Sequence, residues 1–228
     1  MKIGILGYGK MGKEVEKKIL QKGYSVAFTI NSKNTQDLNS YTLQKSDVVI
    51  EFSNPEIAFQ NIKFCIENQT PVVCGTTGWL DKINDITKLC KIHNGTFLHS
   101  PNFSIGMNLF FEINNYISKL MVNKNYDILI EEIHHNMKKD RPSGTAIKIS
   151  NDIDEIRLNK KEKIPIVSKR IGDIKGEHTV KYISEFDDIH ISHKAKNRQG
   201  FASGALLAAE FIQNKKGIFT MADVINNI

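Results

Sequence analysis

The sequence predicts an α/β chain with a doubly wound parallel sheet at its N-terminus and a second, α+β domain built on a mixed sheet. Three observations carry that prediction. Short apolar strands alternate with helical patterns through the first hundred residues, as βαβ units require. A glycine-rich turn, ILGYGKMG (Ile5 to Gly12), separates the first strand from the first helix. Past Asn102 the rhythm changes, and strand candidates follow one another without helices between them.

Taken in order, KIGILG, VAFTI, DVVIEF, PVVCG and TFLHS read as strands. Helical patterns run between them from Lys10 to Gln21, Pro55 to Glu67 and Trp79 to His93. The stretch between Ile30 and Asp47 is short and polar, so that crossover is expected to be abbreviated. A helix (GMNLFFEINNYISKLM), a strand (YDILIEEIHH) and a helix opening near Ser143 come next. IPIVSKR, EHTVKYISEF and DIHISHKA then read as strands, the last two joined as a hairpin through a turn at FDD. The closing apolar helix, containing SGALLAAEFIQ, is expected to pack back onto the first domain.

Composition narrows the function. The 228 residues are 40% hydrophobic and 25% charged, ordinary for a soluble globular protein. No apolar run approaches the roughly 20 residues of a membrane span. The chain enters a strand at Lys2, which leaves no room for a signal peptide and points to the cytoplasm. Cys65, Cys74 and Cys90 are an odd, widely spaced set inside apolar stretches, read as reduced buried thiols. The net charge is +6, but the arginines are only Arg141, Arg157, Arg170 and Arg198 and the lysines are scattered. No basic-aromatic module accompanies them, so nucleic-acid binding is not expected.

The glycine turn carries the first chemical signal. Gly7, Gly9 and Gly12 form G-x-G-x-x-G between strand and helix: a tight turn, a close approach of backbone to pyrophosphate, and close helix–strand packing. The helix start offers free N–H groups to phosphate. This context predicts a Rossmann-like dinucleotide site in residues 1–103, completed by a C-terminal helix over 204–228. An acidic residue usually holds the adenosine ribose about 20 residues on. Asn31 is the nearest candidate and does not repel a 2′-phosphate, while Lys33 could attract one; NADPH, NADH or both fit. After the fourth strand, Gly75, Thr76 and Thr77 are placed near the nicotinamide.

The run EEIHHNMKKDRPSGTA carries the second signal. His134 and His135 are adjacent on a strand and should face opposite ways, a poor pair for one metal, and no metal site is expected. Pro142 and Ser143-Gly144-Thr145 read as a helix start suited to a carboxylate. A second carboxylate is expected near His135 and Lys138, leaving His134 to pass a proton. The implied ligand is a small dicarboxylate, and residues 104–203 form its domain.

GYGKMG, EFSNPE, VVCGTTGW, SPNFSIGMN, EEIHHNMKKDRPSGTA, GEHT and SHKAKNRQGFASGAL together resemble the 4-hydroxy-tetrahydrodipicolinate reductase (dihydrodipicolinate reductase) family over nearly the whole chain. The resemblance implies NAD(P)H-dependent reduction of a cyclic dicarboxylate in lysine and diaminopimelate biosynthesis, by a homotetramer that closes its domains over the ligands and assembles through the second. It implies His134 as proton donor and Lys138 as the essential lysine. His135, Ser143, Gly144, Thr145 and Thr77 match substrate contacts, and Gly7, Lys10, Met11, Gly12, Gly75, Thr76, Asn102 and Phe103 match cofactor contacts. Asn31 departs from the usual acidic residue, and Arg141 from a usual small one. Two alternatives are another small NAD(P)-dependent oxidoreductase of amino-acid metabolism and a non-catalytic dinucleotide sensor. The SGTA helix start argues against the first, and the grouping of His134 with Lys138 against the second.

Overall fold

The computed structural model describes residues 1–157 and 163–227, which divide into two compact units. The first comprises residues 1–105 and 199–228, the second residues 106–198.

The first unit starts with β1 (Lys2–Leu6), α1 (Lys10–Gln21), β2 (Ser25–Ile30), the single-turn α2 (Ser40–Leu43) and β3 (Val48–Glu51). The crossover after β2 is short, as its polar sequence suggested. There follow α3 (Pro55–Glu67), β4 (Val72–Cys74), α4 (Ile83–His93) and β5 (Thr96–His99). Asn54 caps α3 by accepting from the Ile57 N–H at 3.2 Å, and Pro55 takes the first helical position, where its missing N–H costs nothing. α1 buries Gly12, Val15 and Ile19, one stripe at helical spacing.

From α5 (Ile105–Met121) the chain enters the second unit, with β6 (Asp127–His134), α6 (Gly144–Arg157), β7 (Ile166–Arg170), β8 (Glu177–Ile183) and β9 (Asp188–Lys194). Its sheet runs β7-β6-β8-β9, with β7 parallel to β6 and the other pairs antiparallel. The β8–β9 turn closes where the Ser184 hydroxyl accepts from the N–H groups of Phe186 and Asp187. Phe110, Phe111, Ile130, Ile149, Ile153, Val180 and Tyr182 share one core.

The chain returns to the first unit as α7 (Gln199–Ile212), whose Ala202, Ala205, Leu206, Ala208, Ala209 and Ile212 join the core of α1 and β3. Gly204 is required there, because a Cβ would strike the Phe103 carbonyl. The single helix expected over 204–228 is not what forms. After Ile212 come β10 (Gly217–Phe219) and a separate α8 (Met221–Ile225), while Ile228 lies outside the described residues. α7 has already ended at Ile212, and Gly217, at φ +121°, takes a conformation that favours glycine where the chain enters β10. Thr220 and Asp223 then form a capping box that starts α8. β10 pairs parallel with β5, giving the six-stranded parallel order β10-β5-β4-β3-β1-β2.

Candidate active site

In the first unit, Gly7 sits at φ +91°, and a Cβ there would collide with the Phe52 carbonyl. At Gly12 a Cβ would meet the Gly7 carbonyl, whereas at Gly9 it would meet nothing within 4 Å. The three glycines thus serve turn, packing and open approach, the division that a dinucleotide turn needs. Beyond the carboxyl ends of β1, β2 and β3 lies a cavity of about 620 Å³ that includes Gly7, Tyr8, Gly9, Asn31, Phe52 and Asn61 in its lining. Its position, its size and the open face at Gly9 fit a nicotinamide dinucleotide. The Asn31 carboxamide oxygen accepts from the Lys33 N–H at 2.8 Å, and Lys33 is exposed.

Beside the cavity is a carboxylate that the sequence reading did not single out. Glu51, fully buried at the end of β3, accepts from the backbone N–H (3.0 Å) and hydroxyl of Ser53 and from the Cys74 thiol at 3.1 Å. Burial, with the Glu51 charge adding to it, raises the Cys74 thiol well above its ordinary range. Gly75 must lack a side chain because the Phe52 ring occupies that space. Thr76 is buried and its carbonyl accepts from the Trp79 indole at 2.8 Å, while Thr77 is exposed. Phe103 is core, 2% exposed and edge-on to Phe52. The half-buried Asn102 accepts through its side chain from the Ser104 N–H at 2.9 Å. Lys10 is exposed and Met11 half-buried at the start of α1.

In the second unit, strand register builds the site. Ser168, Glu132, His178 and His193 form one row across β7, β6, β8 and β9, and Arg170 pairs with His134 in a neighbouring row. Period-2 alternation puts Ile130, Glu132 and His134 on the same, buried face of β6. Glu132 Oε1 accepts from the Arg170 guanidinium at 3.0 Å and from the Ser143 N–H at 3.2 Å. Its Oε2 lies 2.7 Å from His134 Nδ1, off the line of a straight N–H···O bond, and 4.0 Å from His178 Nε2. The rings of His134 and His178 meet edge-to-face at 5.0 Å.

Burial alone would raise the Glu132 carboxyl, but bonds from Ser143, Ser168 and Arg170 and the charge of His134 outweigh it and hold the pKa at about 2. Burial lowers His134, and Lys138 and Arg170 add to that against the pull of Glu132. Burial, with His134 next, takes His178 down to about 3. The cluster therefore holds a fixed carboxylate beside two imidazoles that resist charging. Glu132, His134 and His178 bring three possible metal-ligand atoms within 4.8 Å of one another. A carboxylate already bound to a guanidinium and 2.7 Å from one imidazole is engaged as a charge and hydrogen-bond hub, which is a poor seat for a cation.

Ser143 begins α6, its hydroxyl accepting from the Ala146 N–H at 3.2 Å and standing 3.3 Å from His178 Nε2. Gly144 and Thr145 occupy the first turn, where N–H groups have no partner within the helix. Lys138 pairs with Asp140 at 2.9 Å. Arg170 donates to the carbonyls of Lys138 and Asp140 and so pins the loop that carries this lysine. His135 is half-buried, its carbonyl accepting from the Lys138 N–H. Arg141 is exposed, and nothing in the structure gives it a role. The structure thus gathers His134, Lys138 and Ser143 around Glu132, Arg170 and His178, which the sequence reading had not assigned.

A parallel dinucleotide-type unit, joined to one whose sheet sets a buried carboxylate–imidazole pair beside a helix start, defines a nicotinamide-dependent oxidoreductase. More particularly, the chain belongs to the dihydrodipicolinate reductase family: residues 1–103 match the family's N-terminal model and residues 106–225 its C-terminal model. It is 42% identical over 239 residues to the 4-hydroxy-tetrahydrodipicolinate reductase of Christiangramia forsetii, covering 100% of this chain and 99% of that one. The protein of the same name from Buchnera aphidicola is 38% identical, with 81% of this chain and 73% of that one covered. The solved dipicolinate-bound dihydrodipicolinate reductase from Paenisporosarcina sp. TG-14 superposes with a TM-score of 0.79 at 25% identity, covering 96% of this chain and 97% of that one.

Proposed function

We propose that this chain reduces 4-hydroxy-tetrahydrodipicolinate (dihydrodipicolinate) to tetrahydrodipicolinate in lysine and diaminopimelate biosynthesis, with His134 as proton donor. Bound NADH or NADPH supplies the hydride. His134 protonates the product of hydride addition, and Lys138 binds and polarises the substrate. His135 and the α6 start at Ser143-Gly144-Thr145 take its carboxylates, and Thr77 serves as a further substrate contact. Gly7, Gly9, Lys10, Met11, Gly12, Asn31, Lys33, Gly75, Thr76, Asn102 and Phe103 serve the cofactor. The observation that carries this reading is the grouping around Glu132 of a buried imidazole, the loop of a lysine and a helix start: a proton source beside anion-binding groups.

We further propose residues 1–103, with the C-terminal return of the chain, as the dinucleotide domain and 104–203 as the substrate and oligomerisation domain. The working form is a cytoplasmic homotetramer that binds neither nucleic acid nor membrane. The edge strands β7 and β9, with Val167 and Ile189 exposed, support self-association. No helix among the described residues is long and apolar enough to cross a membrane.

The test is cofactor oxidation at 340 nm with substrate generated in situ from pyruvate and aspartate semialdehyde by the preceding synthase. Oxidation that depends on the synthase is the expected result, and the ratio of NADH to NADPH rates reports what Asn31 and Lys33 select. Cofactor binding without oxidation would overturn the assignment.

A further inference from the structure

Four pieces of the second unit converge on one carboxylate. Glu132 touches His134 from its own strand, the Arg170 guanidinium from β7, and the backbone N–H of Ser143 at the start of α6. His178 approaches from β8, and Arg170 continues the chain of contacts to the carbonyls of Lys138 and Asp140. Burying an ion costs several kcal/mol unless hydrogen bonds and counter-charges replace water. Here those replacements come from the elements that carry the acid, the lysine and the anion-binding helix start.

On the opposite side of the His134 ring, Nε2 faces Gly176. A Cβ there would stand 3.1 Å from it, and the backbone at φ +149° favours glycine in any case. With Nδ1 against the carboxylate, Nε2 is the nitrogen left to exchange a proton, since the contact at one ring nitrogen decides the task of the other.

We propose that Glu132 is the positioning residue of the reaction, holding His134 with Nε2 turned toward the Gly176 side and locking that ring to the Lys138 loop through Arg170 and to α6 through Ser143. The proposal rests on His134 being the proton donor. Glu132 also sets how readily that donor charges. The other charged or titratable groups facing His134 are Lys138 in the following loop, Arg170 on β7 and His178 on β8, which is itself flanked by His193 on β9. Of these, Glu132 alone favours the imidazolium.

The experiment is a double-mutant cycle on the full-length enzyme with Glu132→Gln, His134→Gln and the pair, following kcat, KM and pH profiles. Glu132→Gln should lower kcat at least about tenfold. It should move the alkaline limb of kcat/KM to lower pH, because the charge that favours imidazolium has gone. In the His134→Gln background the same change should add less than about threefold, as expected for residues acting as a unit. A full additional loss in that background, or an unmoved limb in the single variant, would overturn the positioning role. If His134→Gln alone keeps near-normal kcat, the proton-donor reading has failed, an outcome distinct from additivity. Should Glu132→Gln not fold, Glu132→Asp retains the charge on a shorter arm. It should keep the pH limb and lose kcat, and an unchanged kcat would equally overturn the proposal.

Discussion

His134 is where chemistry and environment can be separated by measurement. Removing a general acid typically costs about 10²- to 10⁴-fold in rate. His134→Gln should therefore depress kcat by that order while changing substrate KM little; a kcat within threefold of the parent would remove this histidine from the mechanism. Its pKa is depressed, by burial first and then by Lys138 and Arg170. A reaction that needs the protonated ring loses rate as pH rises through that pKa, so the alkaline limb of kcat/KM should fall below the ordinary histidine value of about 6.5. Lys138→Ala should damage KM and kcat together, because the group both binds and polarises. His134, Lys138 and Ser143 were legible in the sequence because they lie in one short run. Glu132 lies in the same run, and alternation along β6 puts it on the His134 face, but the partners that give it a role come from other strands. Arg170 and His178 are distant in sequence, and only strand register delivers them.

Among elements, local chemistry predicted what it controls. The Gly7–Gly12 turn was readable because each glycine answers a separate steric demand, and the structure supplies each demand. The β8–β9 hairpin was readable from its turn. The tail was not: β10 has three residues, too few for any periodicity, and its place beside β5 comes from pairing rather than propensity. Gly176 belongs to this second kind. The glycine of GEHT permits a positive φ, but nothing there announces the His134 imidazole that lies beside it. Gly176→Ala should strain the backbone entering β8 and crowd His134 Nε2. We expect kcat to fall about tenfold or more, since small misplacements of reacting groups cost that much. Cofactor affinity, measured by fluorescence titration, should stay within twofold, because the cavity beyond β1, β2 and β3 lies in the other unit. Equal losses in both would mean the substitution damages the fold rather than the ring's surroundings.

At the scale of the whole molecule, the alternating first half and the changed rhythm after Asn102 foretold two kinds of sheet. They could not foretell how unevenly titratable groups are buried. His134, His178 and His193, all in the second unit, have lowered pKa values with burial the leading cause, and among the described residues the first unit adds His99 to this set. An unfolded chain takes up these protons near pH 6.5, whereas the folded one resists until lower pH, for His178 until about 3. Across that window the unfolded state binds more protons, so stability is complete above about pH 6.5 and declines as pH falls. Glu132 acts in the same direction but later: its contribution, present above the ordinary carboxylate pKa of about 4.3, is lost only as pH drops toward 2. Acid should therefore loosen the second unit first. Hydrogen exchange compared at pH 7 and pH 5 should show protection falling in β6, β8 and β9 before β1 and β3, after correction for the intrinsic pH dependence of exchange. His178→Asn, which cannot charge, should flatten the dependence of Tm on pH between 6.5 and 4. If that variant keeps the parent's slope, or the parallel sheet opens first, burial of His178 is not what limits this protein in acid.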